Sequence, residues 1–183
     1  MSGADVTYLV WSDFANVART RGVPTRDLER RMAHGLGWAI AGQALTPFTD
    51  IVDNPFGPCD EARQTPDPDA RFTIPGDDDN PPVSGVICDS LSPPGEPWSC
   101  CVRGFLKSAL AEFEAETGFG VVAAFEHEFT LTGDGAPPET PFSLAAARHR
   151  HALLLEIERL VTGAGAPVET VEAEFGLDQF EVS

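Results

Sequence analysis

The segment Ala-Phe-Glu-His-Glu-Phe-Thr-Leu, residues 124–131, carries two carboxylates at the spacing of a β-strand. Glu126 and Glu128 alternate with Phe125, His127 and Phe129, so both glutamates leave the same face of a strand. Carboxylate oxygens are the ligands that Mg²⁺ and Mn²⁺ prefer. The segment therefore indicates a site for a divalent cation, while the solvated polar face of an antiparallel sheet remains the alternative.

A second acidic segment, Glu-Phe-Gly-Leu-Asp-Gln-Phe-Glu, follows at residues 174–181. Two unit charges about 5 Å apart repel by roughly 3 kcal/mol at an effective dielectric near 20. Glutamates that converge in one cavity therefore need protons or a cation between them. If Glu174 and Glu181 reach the face that carries Glu126 and Glu128, the four carboxylates form a predicted metal site.

The elements that must position these residues follow from hydrophobic periodicity and from glycine and proline. Around the acidic segments the sequence predicts a strand over 119–131, a loop over 133–141, a helix over 143–162 that Gly163 stops, and strands over 168–174 and 180–182 about a turn at Gly176. Before them, apolar residues recur at helical spacing from Val102 to Phe113, which predicts a helix with a core-facing stripe that ends at Gly118.

The first third of the chain shows the alternation of a hairpin, with strands over 8–14 and 17–22. Thr25 is the predicted N-cap of a helix that extends to about Ala41. Residues 50–82 are rich in Pro, Gly, Asp and Asn, which predicts long exposed loops.

Composition narrows the function classes. The net charge of −17, with only 12 lysines and arginines, argues against a nucleic-acid partner. No secretory leader and no apolar run of membrane-spanning length is visible, so we expect a cytoplasmic protein without a membrane partner. The four cysteines have no metal-binding spacing, and we expect reduced thiols at Cys59, Cys88, Cys100 and Cys101. The basic run 148–151 is either an anion site or a solvated helix face.

The two acidic segments together resemble the glutamine synthetase superfamily. There, a Glu-X-Glu strand is followed, after a helix, by Glu-X-X-Pro-Gly-Gln-X-Glu or a near relative. Residues 9–24, 65–75, 86–89 and 95–97 extend the resemblance through the N-terminal part in the same order. The resemblance implies that Glu126 binds the nucleotide-side metal, that Glu128, Glu174 and Glu181 bind the substrate-side metal, and that Glu169 contacts ATP.

The resemblance also implies the architecture. We expect an α+β fold, with a β-grasp-like N-terminal domain over 5–95 and the incomplete first part of the α/β catalytic domain over 96–183. Two positions depart from the family pattern, since Leu177-Asp178 replaces Pro-Gly and His127 separates the paired glutamates. Asp178 would place an extra carboxylate beside the metal site.

The activity implied is that of an ATP-dependent carboxylate–amine ligase that needs Mg²⁺ or Mn²⁺. It would phosphorylate glutamate and let ammonia or an amine displace phosphate, within a ring-shaped homo-oligomer. Because the family's phosphate-binding arginines would lie beyond residue 183, we expect these residues alone to be inactive and partly disordered after about Val102. A non-catalytic fragment or pseudoenzyme, and an independent binding module, are the competing hypotheses.

Overall fold

The computed structural model describes residues 6–57, 60–133 and 140–183. Two units make up the chain, Met1–Val121 and Val122–Ser183, and each is described here by itself. The predicted α+β class is confirmed, because mixed and antiparallel sheets occur together with helices packed on their faces.

The first unit is built on a mixed sheet in the order β2-β1-β5-β4-β3. Its strands are β1 (Val6–Ser12), β2 (Ala18–Pro24), β3 (Leu36–Ala39), β4 (Glu61–Ile74) and β5 (Val83–Ser92), with a short β6 (Glu96–Pro97) paired to β5. β1 and β5 are parallel neighbours, and the other pairs are antiparallel. This β-grasp-like sheet buries a core of Leu9, Trp11, Val23, Leu28, Val86 and Cys88.

The hairpin of β1 and β2 agrees with the sequence prediction, and Asp13 explains how it turns. The Asp13 carboxylate is buried and accepts hydrogen bonds from the backbone N–H groups of Ala15 (3.0 Å) and Val17 (2.9 Å). The Arg19 Nε donates to the same carboxylate at 2.7 Å. The turn is thereby tied to both strands.

Two predictions for this unit are wrong. The helix expected to reach Ala41 is a 3₁₀ turn (Thr25–Asp27) followed by α1 (Leu28–His34), and residues 36–39 form β3. Gly35 ends the helix with φ of +62°, where a Cβ would meet the Thr65 hydroxyl at 2.9 Å. The expected loops over 50–82 contain the 14-residue strand β4, whose register shifts between Pro66 and Arg71.

Helix α2 (Val102–Thr117) forms where it was predicted and ends at Gly118, but the prediction of a core-facing stripe is wrong. Its apolar side chains are all at least one third exposed, and Phe105 is 75% exposed. Four ion-pair contacts of 2.7–3.0 Å hold the helix to the sheet, from Arg103 and Lys107 to Asp67 of β4 and Asp89 of β5. Charge rather than apolar burial attaches α2.

The second unit packs two helices, α3 (Leu144–His149) and α4 (His151–Gly163), on an antiparallel sheet in the order β7-β9-β8. The strands are β7 (His127–Thr130), β8 (Val171–Ala173) and β9 (Gln179–Val182). Leu154, Ala173 and Phe180 form its core. Ser143 caps α3 by accepting a hydrogen bond from the Ala146 N–H at 3.1 Å.

Here too the sequence predicted longer elements than the structure contains. The strand expected over 119–131 is limited to β7, and residues 121–126 are exposed. The single helix expected over 143–162 is broken at Arg150, whose φ of −111° and ψ of 15° leave the helical region. The predicted loop over 133–141 lies mostly outside the described residues, as does Cys59.

Candidate metal centre

The three-stranded sheet presents a row of glutamates on one face. In the register of the sheet, Glu181 in the central strand β9 lies opposite Glu128 of β7 on one side and opposite Glu172 of β8 on the other. The other face carries Phe129, Phe180 and Ala173, which pack against the helices. Alternation therefore forces the glutamates together, because burying Phe180 aims both of its strand neighbours at the opposite face.

Three carboxylates converge on this face. One oxygen each of Glu172, Glu174 and Glu181 lies within 4.8 Å of the others. Glu181 is 8% exposed, whereas Glu172 is exposed and Glu174 is intermediate. The pKa of Glu181 is raised, first by burial and then by the negative charges of Glu126, Glu174, Glu172 and Glu128. Like charges directly opposite on neighbouring strands are destabilising, so a cation would stabilise this arrangement.

The structure thus separates the four predicted metal ligands into two pairs. Glu174 and Glu181 lie in the converging group, whereas Glu128 is turned toward Gln179, whose Nε2 donates to its carboxylate at 2.6 Å. Glu126 precedes β7 and is exposed, yet it is close enough to raise the pKa of Glu181. Both remain at the edge of the group.

Glu169, the predicted ATP contact, lies away from the converging carboxylates. It is exposed and outside β8, and its backbone N–H donates to the Ser183 carbonyl at 2.7 Å. Its side chain is not part of the group formed by Glu172, Glu174 and Glu181.

Glu172 is the site residue that the sequence reasoning missed. The segment Val-Glu-Ala-Glu, residues 171–174, contains the same Glu-X-Glu spacing that singled out Glu126 and Glu128. That period-two signal was sufficient to find it, because two residues apart on a strand means the same face.

Asp178 does not join the cluster. Its carboxylate accepts hydrogen bonds from the Arg150 Nε at 3.0 Å and from the Arg150 Nη2 at 2.5 Å, with side chains only 7% and 17% exposed. Asp178 has φ of +51°, a conformation that glycine adopts without strain and that Asp tolerates better than most residues. The prediction of an extra carboxylate at the metal site is thus replaced by a structural pair. The same pair accounts for one cation of the basic run 148–151.

The carboxylate group fits a hard divalent cation. All of its donors are oxygens, the set favoured by Mg²⁺, Mn²⁺ and Ca²⁺. Glu181 is buried as a residue, but neither oxygen of its carboxylate is among the fully buried, unpartnered side-chain atoms of the described parts of the chain. Carboxylates this close to one another are stabilised by a cation or a proton between them.

A separate cavity of about 710 Å³ opens on the apolar side of the sheet, between β7 and α4. Its lining is mostly apolar and includes Phe125, Ile157, Val161, Val168 and Val182. It lacks the glutamates and is therefore distinct from the metal centre.

Comparison with known proteins places the chain in a family through its N-terminal part. Residues 3–98 match the model of the glutamine synthetase N-terminal domain, which covers more than half of the chain. The chain belongs to the glutamine synthetase family. The resemblance inferred from the acidic segments is thereby confirmed.

Relatives within the family match over nearly all of these residues. The gamma-glutamylpolyamine synthetase GlnA3 of Streptomyces coelicolor is 25% identical over 99% of this chain and 40% of its own length. A crystal structure of a novel glutamine synthase homolog superposes with a TM-score of 0.87 at 29% identity, over 100% of this chain and 43% of that one. The glutamine synthetase of Plasmodium falciparum shares the fold, with a TM-score of 0.69 at 10% identity over 97% and 40% of the two chains. The chain thus spans about two fifths of the length of these relatives.

No helix within the described parts of the chain is long and apolar enough to span a membrane. The described cysteines, Cys88, Cys100 and Cys101, are unpaired.

Proposed function

We propose that this chain forms the N-terminal domain and the first metal-binding sheet of an ATP-dependent glutamate–amine ligase. The observation that carries the proposal is the convergence of Glu174 and Glu181 on one sheet face, with Glu128 in the adjacent register, in a chain of the glutamine synthetase family. Glu126, Glu128, Glu174 and Glu181 are the proposed ligands of Mg²⁺ or Mn²⁺.

The proposed reaction has two steps. The γ-carboxylate oxygen of glutamate attacks the terminal phosphorus of ATP, and ADP leaves with the bonding electron pair. The amine nitrogen then attacks the acyl carbon of γ-glutamyl phosphate, phosphate leaves, and the nitrogen loses a proton. A bound divalent cation supplies charge neutralisation for the phosphoryl group during transfer.

The chain's own residues hold that charge-neutralising site in place. Gln179 links the turn at Gly176 to strand β7. Its Oε1 accepts a hydrogen bond from the Gly176 N–H at 2.8 Å, and its Nε2 donates to the Glu128 carboxylate. Phe180 is 1% exposed and anchors β9 beneath Glu181. The Arg150–Asp178 pair fixes the turn from the helix side. These contacts preorganise the carboxylates before any ligand arrives.

The substrates and surroundings are part of the same proposal. Glutamate, ATP and an amine would be the substrates, and the polyamine in the name of GlnA3 favours a polyamine over ammonia as the acceptor. Glu169 is proposed as an ATP contact. A cytoplasmic homo-oligomeric ring remains the proposed setting, and the acidic composition supports the proposed absence of nucleic-acid binding.

Residues 1–183 alone are not expected to complete the reaction. Phosphoryl transfer requires cationic side chains aimed at the transferring group. In the second unit, Arg150 is engaged by Asp178 and Arg159 is engaged by Glu156 at 2.6 Å, while Arg148 is exposed on α3. Release of ADP that depends on glutamate and an amine, and that Glu128→Gln abolishes, would contradict this expectation.

Calorimetric titration with Mn²⁺ tests the metal site. We expect the chain to bind Mn²⁺ and the double variant Glu128→Gln, Glu181→Gln to lose most of that affinity. Wild-type affinity in the double variant would contradict the proposed ligands. The absence of binding by the wild-type chain would instead favour the alternative in which the glutamates are only a polar sheet face.

A further inference from the structure

In the first unit, the end of the sheet where β1 and β5 begin carries hydroxyl groups beside the apolar core. Thr7 lies two residues before the core residue Leu9, so both side chains leave the same face. Ser84 stands in the same relation to the core residue Val86. Thr7 pairs with Ser84 in the parallel register, and Ser84 pairs with Thr73 of β4. Three neighbouring strands therefore present a row of hydroxyl groups on the face that carries the core.

The hydroxyl groups of this row lie in pairs. The Thr7 hydroxyl is 3.0 Å from that of Thr25, which directly follows β2, and Thr7 is only 5% exposed. The hydroxyls of Thr73 and Ser84 are 3.5 Å apart. A hydroxyl group has one proton to donate, so one member of the Thr73–Ser84 pair donates to the other and the second proton is available to another acceptor. Polar groups on a buried face are more informative than apolar ones, because their desolvation must be compensated.

A cavity of about 210 Å³ opens over this row and also takes in the side chain of Arg71. Arg71 reaches the same face because it pairs with Val86 in the register of β4 and β5. The lining that the described residues supply contains no carboxylate. In a chain with a net charge of −17, one cation and several hydroxyl groups thus share a cavity.

The guanidinium of Arg71 is held only weakly within the described parts of the chain. Its ion-pair contact is with Glu29 at 4.0 Å, and the two side chains are 49% and 88% exposed. Ion pairs this exposed contribute little, because solvent screens them and both side chains lose freedom. Arg71 can therefore exchange Glu29 for an oxyanion, to which its planar group donates two parallel hydrogen bonds.

We propose that this cavity binds a phosphate group, with Arg71 as the charged contact and the Thr73–Ser84 hydroxyl pair as the neutral donor. Two phosphate oxygens accept from the guanidinium, and a third accepts from the hydroxyl whose proton is available. A carboxylate has only two oxygens, so the guanidinium would use both and leave that hydroxyl without an acceptor. The site lies in the first unit and is independent of the ligase reaction and of the glutamates in the second unit. The phosphate group comes either from inorganic phosphate or from a small phosphate monoester.

The test is a titration of the ¹⁵N-labelled chain with inorganic phosphate, in which sodium chloride keeps the ionic strength constant and amide chemical shifts are the readout. We expect saturable shifts at the amides of Thr73, Ser84 and Gly85, which line the cavity. Arg71→Met should raise the dissociation constant by about tenfold or more, because a charged hydrogen-bond donor is lost, and Ser84→Ala should raise it by about two- to tenfold. Arg71 is half exposed and methionine keeps an apolar stem, so the fold should be retained.

Glu29→Gln gives a readout that a purely structural role of Arg71 would not change. It removes the carboxylate that competes for the guanidinium, so phosphate should bind more tightly, by up to about fivefold. Arg30→Met is the matched control, because Arg30 is an exposed arginine of α1 that does not line the cavity, and it should keep the wild-type affinity. An equal loss in Arg30→Met and Arg71→Met would show a general charge effect and overturn the proposal.

Other ligands separate the sources of the phosphate group. Tighter binding of glycerol 3-phosphate than of inorganic phosphate would support a phosphate monoester as the ligand, and equal or weaker binding would support inorganic phosphate. Acetate that binds as tightly as phosphate at the same amides would overturn the assignment of a phosphate group. Shifts that do not saturate with phosphate, or that spare Thr73, Ser84 and Gly85, would overturn the site itself.

Discussion

The pair of Arg150 and Asp178 gives a prediction in which two energies can be separated. Replacing Asp178 by Ala removes a carboxylate that is 7% exposed and leaves Arg150 without that partner. Losing charged hydrogen bonds of this kind costs about 2–3 kcal/mol. Alanine must also adopt the φ of +51° that Asp178 has, which adds about 1 kcal/mol.

Glycine provides the matched control, because Asp178→Gly loses the same carboxylate but adopts a positive φ without strain. We expect Asp178→Ala to be less stable than Asp178→Gly by about 1 kcal/mol. In an Arg150→Met background the pair is already broken, so Asp178→Ala should lower the free energy of unfolding by only about 1 kcal/mol more. The difference from the cost of Asp178→Ala in the wild-type chain is a coupling energy of about 2 kcal/mol.

The assay must report on the second unit. All three tryptophans, Trp11, Trp38 and Trp98, belong to the first unit, so intrinsic tryptophan fluorescence does not measure the change. Hydrogen exchange does, because the Leu131 N–H donates to the Asp178 carbonyl at 3.0 Å. Exchange of this amide should accelerate by about 30- to 150-fold when the pair is lost. Equal exchange rates in Asp178→Ala and Asp178→Gly would refute the backbone strain assigned to alanine. Additive effects of Asp178→Ala and Arg150→Met would refute a stabilising interaction between the two side chains.

Three further predictions concern the individual residues Asp67, Phe180 and Asp13. The hydrogen bonds from Arg103 and then Lys107 lower the pKa of Asp67 to about 2. The ionised Asp67 should therefore stabilise the fold by about 1 kcal/mol, after allowance for solvent screening, above pH 4, and this stabilisation should be lost as the pH falls toward 2. The Asp67→Asn variant should lack this pH-dependent loss of stability in an acid titration. Phe180→Ala should destabilise the second unit by about 3–5 kcal/mol in urea unfolding followed by circular dichroism, whereas unchanged stability would contradict its place in the core. Asp13→Ala should destabilise the first unit by about 3 kcal/mol, measured by tryptophan fluorescence, because three donors lose their acceptor; a cost below 1 kcal/mol would contradict the tie.

The features that could be predicted from the sequence depend on short-range periodicity. The β1–β2 hairpin and the strands that carry Glu128 and Glu181 follow from period-two alternation, because that pattern is visible in a short stretch of sequence. The family motif added Glu174 and its turn. Glu172 has the same period-two spacing from Glu174, but it lies outside the family motif.

What could not be predicted depends on long-range pairing. β4 contains Pro66, Asp67 and Pro68, which are typical of loops, yet it is held by β3 and β5 on its two sides. Pairing partners far apart in the chain override local propensity in such strands. Gly35 ends α1 with φ of +62°, and the space beside it is limited by Thr65, whose hydroxyl a Cβ would meet at 2.9 Å, a restriction that exists only in the folded chain.

The attachment of α2 has a consequence for how the protein responds to its solvent. Ion pairs weaken as the screening length shortens, from about 10 Å at 0.1 M salt to about 3 Å at 1 M. Sulfate, which is excluded from protein surfaces, at the same time favours the burial of apolar groups. Concentrated ammonium sulfate therefore acts on α2 in two opposing ways, because it loosens Arg103 and Lys107 from the sheet while it drives Phe105 and Leu106 out of water. The kind of salt, and not its ionic strength alone, thus determines how firmly this helix is docked.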